Sequence, residues 1–466
     1  MAVPAESTSF RRLWRTYGPL AASDLLMAAS ETAVNAGIAR LADPAPSLAA
    51  YGAVLATCLL IESPVIMLLH AANAIATDRE AFRRLRQFTL LLAGVLTALH
   101  AMLAFTGAFD RYFRDSLGLS GEVLALARPS FALMLPWTAA IAWRRLHQGL
   151  LIRHGHAAVA SRGTVIRLAT LAAVMLLAGG PGGQPGAVAG TAGLAAAVTA
   201  ECAYVAWYAA RWMRAHPDWA RAPAAGTAGV VGGDGSNLTW RRLLAFYAPL
   251  ALTSVTTFAA RPVLTGLLAR AVDAPVALAA WPVAWSTLLL FMLPMRTVEQ
   301  VAIPYAGTPA DGTVRRFARV TGLAGSGLLA VLAATPLMDG YLAAVVGVHG
   351  PVGTAVRAGL LAMLPVPWVV AVASCEAGRL VRSGRTVFVH LAALANVAAL
   401  TLVAGLLRAL VPTWPGTRIA AVSLIGAYLA EWAVLAAGAA RVWARDRAPA
   451  PRGPGGQEPR GAPAAP

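Results

Sequence analysis

Two stretches of this chain, 230 residues apart, carry nearly the same residues. Arg11-Arg12-Leu13, then Tyr17 and Pro19-Leu20-Ala21, return as Arg241-Arg242-Leu243, then Tyr247 and Pro249-Leu250-Ala251. The register continues in Ala39-Arg40 with Ala269-Arg270, Asp43 with Asp273, Leu48-Ala49-Ala50 with Leu278-Ala279-Ala280, and Pro64 with Pro294. Further on, His147-Gln148-Gly149-Leu150 with Arg153 and Gly155 echoes Glu376-Ala377-Gly378-Arg379 with Arg382 and Gly384, at a spacing of 229. A slip of one residue over that distance requires homologous helices joined by near-equal loops. Any fold for this chain must therefore build one hydrophobic unit twice.

The solvent of that unit follows from composition. Soluble chains carry about a quarter charged residues, whereas here the charged fraction is 13% and the hydrophobic fraction 58%, with a mean hydropathy of +0.63. The sequence predicts an all-α polytopic membrane protein. Its net charge of +17 comes from arginine alone. No compact basic domain exists to hold a duplex, and basic residues in polytopic chains mark cytoplasmic loops, so nucleic acid is set aside as a partner. Cys58, Cys202 and Cys375 lie in apolar runs and read as small core residues, not disulfides or metal ligands. Arg11, Arg12 and Arg15 precede an apolar stretch in the manner of a signal peptide, but Asp24 and Glu31 inside that stretch make it a permanent first span.

A spanning helix needs about 20 mostly apolar residues. Twelve candidates emerge, near 17–38, 47–70, 87–107, 122–143, 157–179, 186–208, 244–268, 275–297, 317–337, 355–377, 387–408 and 418–440. The gaps alternate in charge: one set holds 28 arginines and the other eight, with Arg167 and Arg261 inside spans. By the positive-inside rule both termini are expected in the cytoplasm of a plasma-membrane protein. Each half then has six spans starting on the same side, which makes the repeats parallel. The expected divisions are an N-terminal bundle over 1–208, a cytoplasmic linker over 209–240, a C-terminal bundle over 241–446 and a disordered cytoplasmic tail over 447–466.

Ionisable groups at membrane depth are costly and tend to face a protein interior or water. Span 1 carries Asp24, Glu31 and Asn35, spaced by seven and four residues and so on one helix face. Span 2 carries Glu62, span 6 Glu201, span 7 Arg261, span 10 Glu376 and span 12 Glu431. In the repeat register Glu31 corresponds to Arg261. Equivalent positions on spans 1 and 7 approach the same axis, so a carboxylate is expected to face a guanidinium across a shared cavity, either locking the halves together or forming a breakable substrate site. Asp24, Glu31, Asn35, Glu62 and Arg261 are the candidate substrate and coupling residues. Pro64, Pro262, Pro294, Pro365 and Pro367 are candidates for bending or gating, since proline within a helix frees a backbone carbonyl. Gly322, Gly325 and Gly327 read as helix-packing glycines, and His154 and His156 as solvated loop residues. No nucleophile-and-base set, zinc spacing or nucleotide motif is present, so the chain reads as a non-enzyme without cofactor or metal, its coupling ion, H+ or Na+, left open.

Glu31-Thr32-Ala33-Val34-Asn35-Ala36-Gly37-Ile38-Ala39, followed by Leu48-Ala49-Ala50-Tyr51-Gly52, resembles the first two helices of the progressive ankylosis family. Phe246-Tyr247-Ala248-Pro249-Leu250-Ala251-Leu252, Arg261-Pro262 and Pro365-Val366-Pro367 resemble the start and fourth helix of that family's second half. The resemblance implies the fold of the superfamily that includes the MATE exporters and lipid flippases: two six-helix bundles forming a V around a central cavity. It also implies export of a small polyanion such as pyrophosphate, citrate or a nucleotide. The first reading is thus an alternating-access exporter of an anionic solute, expected to act as a monomer in the bilayer. The alternatives are a MATE-like cation exporter driven by proton or sodium entry through Asp24, Glu31 and Glu62, and a flippase for a lipid-linked precursor.

The arginine alternation predicts that a single cysteine placed at position 183, in the loop after the fifth span, reacts with an impermeant thiol reagent from outside the cell. Reaction from the cytoplasmic side alone would reverse the topology.

Overall fold

The computed structural model describes residues 9–76, 78–156, 158–178, 183–217, 219 and 239–446; most of the expected linker and the whole expected tail fall outside them. The first half contains α1 (Phe10–Ile38), α2 (Pro44–Ile66), α3 (Leu68–Ile75), α4 (Arg79–Phe105), α5 (Gly121–Leu133), α6 (Leu135–Arg153), α7 (Ala158–Ala178) and α8 (Gly186–Ala215). The second repeats the series with α9 (Trp240–Ala269), α10 (Ala274–Arg296), α11 (Val298–Ala302), α12 (Asp311–Ala334), α13 (Leu337–Gly340), α14 (Gly350–Ala362), α15 (Val366–Arg382), α16 (Val387–Leu410) and α17 (Gly416–Asp446). No sheet forms among the described residues, where the extended structure is a single bridge between Ala42 and Pro185. Away from their ends, helices satisfy backbone donors and acceptors internally, as lipid demands.

Among the described residues nine helical segments are long and apolar enough to cross a membrane, and eleven if each of two bent pairs counts as one span. The bent pairs are α5–α6, at 41°, and α14–α15, at 45°. Pro136 lies in the first turn of α6, and Pro365 and Pro367 at the start of α15, so these prolines sit at the breaks, where their missing N–H costs no hydrogen bond. Pro64 and Pro294 lie inside α2 and α10, each three residues before the break that separates these helices from α3 and α11. α1 is the twelfth long segment. Its charges keep it below the apolarity of the others, yet it is the repeat mate of α9, which is among the nine.

The two halves cross. α1 packs on α10 and α2 on α9, so the first helix of each half lies against the second helix of the other. Asn35 Nδ2 donates to Pro282 O and Ser286 Oγ, both at 2.9 Å, and the Tyr247 hydroxyl donates to Pro64 O. Among the nine, the α2–α3 and α10–α11 segments are the most enclosed, at 61% and 67% buried, against 17% for α7, α9 and α16. Gly149 and Gly378 do the same work in each half. A Cβ on Gly149 would lie 2.6 Å from Leu69 O, and one on Gly378 2.5 Å from Glu299 O, so only glycine lets α6 meet α3 and α15 meet α11.

At the end where α1 and α9 finish, two arginines clasp the halves reciprocally. Arg40 donates to Ala344, Val345 and Val346 carbonyls at 2.8–3.0 Å, at the end of a π-helical turn (Tyr341–Val346) of the second half. Arg270 donates to Asp115, Ser116 and Leu117 carbonyls at 2.6–3.2 Å, at the end of the equivalent turn (Asp110–Ser116) of the first. Each also bonds its own helix, Arg40 to Ala36 O and Arg270 to Gly266 O. Last-turn carbonyls lack intrahelical donors and carry partial negative charge, which a guanidinium with five N–H groups satisfies better than any other side chain. Both turns end in glycine, Gly118 and Gly347, each at φ +84°, which a side chain would strain.

Replacing Arg40 and Arg270 together by Ala should speed amide exchange across 110–119 and 341–348 about tenfold, the factor that corresponds to about 1.4 kcal/mol of local stability. Hydrogen–deuterium exchange read by mass spectrometry measures this, and unchanged protection would show that the clasps do not hold this end closed.

Candidate functional site

The crossed helices leave a cavity of about 390 Å³, lined by α1, α2, α9, α10, α16 and α17 and therefore by both halves. Its existence depends on the α2–α10 contact beside it, where Gly52 lies so close to Pro282 that a Cβ would come 2.5 Å from the proline Cγ. The wall is mainly apolar, with Trp281, Trp285 and several leucines. Such a wall strengthens whatever charges it does hold.

Glu31 and Asn35 reach the cavity from one face of α1, and Arg261 from α9. Arg261 Nη1 stands 3.8 Å from Glu31 Oε1, with both side chains 24% exposed. That separation is an ion pair but exceeds hydrogen-bond length. The guanidinium also lies over the Trp285 ring, 5.2 Å from its centroid, a favourable contact for a desolvated cation. Asn35 spends its amide nitrogen on α10, while its buried Oδ1 has no partner among the described residues. Toward the other end of the cavity stand Arg296, the last residue of α10, and Tyr428 and Glu431 from α17; Arg296 Cζ is 5.9 Å from the Tyr428 ring centroid.

Two other sequence candidates are elsewhere. Asp24 accepts a 2.5 Å hydrogen bond from Thr297 Oγ1, tying α1 to the α10–α11 junction, and does not line the cavity. Glu62 is 4% exposed, inside the first half, and also off the cavity. Of the prolines, Pro282 lines the cavity, and Pro262 follows Arg261 in α9, where it is buried. Sequence reasoning misses Arg296, which ends a span and counts there as a loop arginine, and it gives Glu431 no role. The available signal is their apolar setting: Arg296 follows Met292, Leu293, Pro294 and Met295, and Glu431 follows Tyr428 by one helical turn.

A second buried cluster lies wholly within the first half. Arg144 Nη1 donates to Glu201 Oε2 at 2.5 Å, Gln148 Nε2 to Oε1 at 3.3 Å, and Arg167 Nε lies 3.9 Å away. Glu201 is 1% exposed. The two carboxylate–guanidinium pairs thus differ in kind: one is closed and dry, the other open to a cavity.

The sequence profile of the progressive ankylosis protein (ANKH) family matches residues 1–277 and 235–454. Among curated proteins, none matches the chain by sequence. Solved structures do. The inward-facing form of a multidrug resistance MATE family transporter of the MOP superfamily is similar over 90% of this chain and 96% of its own, at 18% identity and a TM-score of 0.68. The outward-facing form of such a transporter covers 94% of this chain and 99% of its own, at 17% identity and a TM-score of 0.59. A MOP superfamily transporter from Pyrococcus furiosus, described as having a binding pocket of reversed polarity, covers 95% and 100% at 17% identity and a TM-score of 0.60. The fold is that of the MATE-type transporters: two helical bundles of a multi-pass membrane protein around a central cavity. The chain belongs to the progressive ankylosis family.

The closed pair predicts a stability effect. Replacing Glu201 by Ala leaves Arg144 buried without its carboxylate and should cost about 3–5 kcal/mol, a large drop in the thermal midpoint of the purified protein. Glu31→Ala, at the open pair, should shift that midpoint little; equal shifts would mean that the two pairs are alike.

Proposed function

We propose that this protein is an alternating-access transporter that exports a small anionic solute across the plasma membrane, with the clasped end outside and both termini in the cytoplasm. The observation that carries this reading is the open pair in the cavity. Arg261 is charged at any working pH, its planar fork fits phosphate and carboxylate, and at 3.8 Å from Glu31 it keeps N–H donors for a ligand. Glu31 holds Arg261 while the cavity is empty and takes a proton on the return step. Family membership favours the same solute class, pyrophosphate, citrate or a nucleotide. The greater likeness to the inward-facing transporter than to the outward-facing one, and the two clasps at the Arg40 end, favour a cavity reached from the cytoplasm.

The cation-export alternative needs carboxylates at the cavity, and of Asp24, Glu31 and Glu62 only Glu31 lines it. Flux measured in sealed vesicles separates the readings. Arg261→Gln should abolish pyrophosphate or citrate flux while the protein still elutes as a folded monomer. Glu31→Gln should leave anion binding in place and change the pH dependence of flux. Unchanged anion flux in Arg261→Gln, together with loss of organic-cation export in Asp24→Asn or Glu62→Gln, would establish the cation exporter instead.

A further inference from the structure

Arg261 is not the sole arginine of the cavity. The second, Arg296, comes from the opposite end of its span: Arg261 lies eight residues before the end of α9, at the clasped end, whereas Arg296 closes α10 at the other. The two guanidiniums therefore stand at different depths of one apolar chamber. Tyr428 stands beside Arg296, its ring centroid 5.9 Å from Cζ.

The surroundings of Arg296 repeat those of Arg261 without sharing a residue. Each guanidinium rests on an aromatic ring, Trp285 for Arg261 and Tyr428 for Arg296. Each has a cavity carboxylate as its counter-charge, Glu31 and Glu431 respectively. Glu299, outside the cavity, is a further carboxylate near Arg296. Glu431 does not close on Arg296. It accepts a 2.7 Å hydrogen bond from Asn396 Nδ2 of α16, which anchors it on its own side of the chamber. Arg296 makes no ion pair within 4.0 Å among the described residues, and its side chain is exposed to the chamber. Arg144, by contrast, closes on Glu201 at 2.5 Å.

The position equivalent to Arg296 in the first half is Ile66, whereas Glu431 corresponds to Glu201 at a spacing of 230, within Ala430-Glu431 and Ala200-Glu201, so the carboxylate comes from the duplicated unit and the arginine belongs to the second half alone.

We propose that Arg296, braced by Tyr428 and opposed by the Asn396-held Glu431, is a second anion-binding position in the cavity. A solute with two or more acid groups then bridges Arg296 and Arg261, while a solute with one acid group binds at Arg261 alone. This rests on the anionic-solute reading and adds valence selection to it: two arginines at two depths discriminate by the number of acid groups, which one arginine cannot do.

Equilibrium binding to the purified full chain tests this with pyrophosphate, which has two phosphate heads, and methyl phosphate, which has one. Arg296→Gln should weaken pyrophosphate at least about tenfold and leave methyl phosphate within about twofold. Arg261→Gln should weaken both by at least about tenfold. Arg296→Lys keeps the charge on Tyr428 but loses the fork, and should recover part of the pyrophosphate affinity, which separates a binding role from a folding defect. Glu431→Gln removes the competing carboxylate and should tighten pyrophosphate severalfold. The proposal falls if Arg296→Gln leaves pyrophosphate binding unchanged or weakens the two probes equally, or if Glu431→Gln weakens pyrophosphate. If Arg261→Gln changes neither probe, or the native chain binds neither, the anionic-solute reading itself fails and the second position with it.

Discussion

The crossed contact of α1 with α10 and α2 with α9 determines where the cavity lies and which side chains reach it. Were each half to pack only on itself, the chain would be two bundles joined by a linker. Because the first helix of each half lies against the second helix of the other, the polar faces of both halves turn inward to a shared axis. Asn35 on Pro282 and Ser286, and Tyr247 on Pro64, fix that crossing from opposite sides. The chamber is the space the crossing leaves, and the arginine clasps join the two halves at the end where α1 and α9 finish.

Distance and burial divide these two charge pairs into two kinds. The Arg144–Glu201 pair is short, buried and supported by Gln148, and none of these residues lines the cavity. Desolvation of both ions is repaid only by such close geometry. Glu31–Arg261 is longer, partly exposed and shared with an aromatic ring, so neither ion has given up its capacity for another partner. A transporter has to release what it binds, and a charge held at this length can be exchanged.

Much of this was legible in the sequence. The duplicated register places Glu31 opposite Arg261, and twelve long helical segments appear where the sequence has apolar runs of about 20 residues, α1 included. Asp24 and Glu62 show where such reasoning ends. A carboxylate at membrane depth needs satisfaction, but a hydroxyl such as Thr297 supplies it inside the packing as well as cavity water does. Arg296 is hidden for the converse reason, since a charge at a span end costs little by count and only the fold shows it turned into the chamber. The crossing itself has no periodic signature, because a helix's apolar face does not name its partner.

The clasps have the form of contacts in a two-fold dimer, where residue i of one copy meets residue j of the other and j meets i. Arg40 on 344–346 and Arg270 on 115–117 are the same contact made twice. In a dimer of two identical chains the axial positions would also be identical, and Glu31 would face another glutamate, or Arg261 another arginine, in like-charge repulsion. With both copies in one chain the two axial positions are free to differ, and an acid faces a base there.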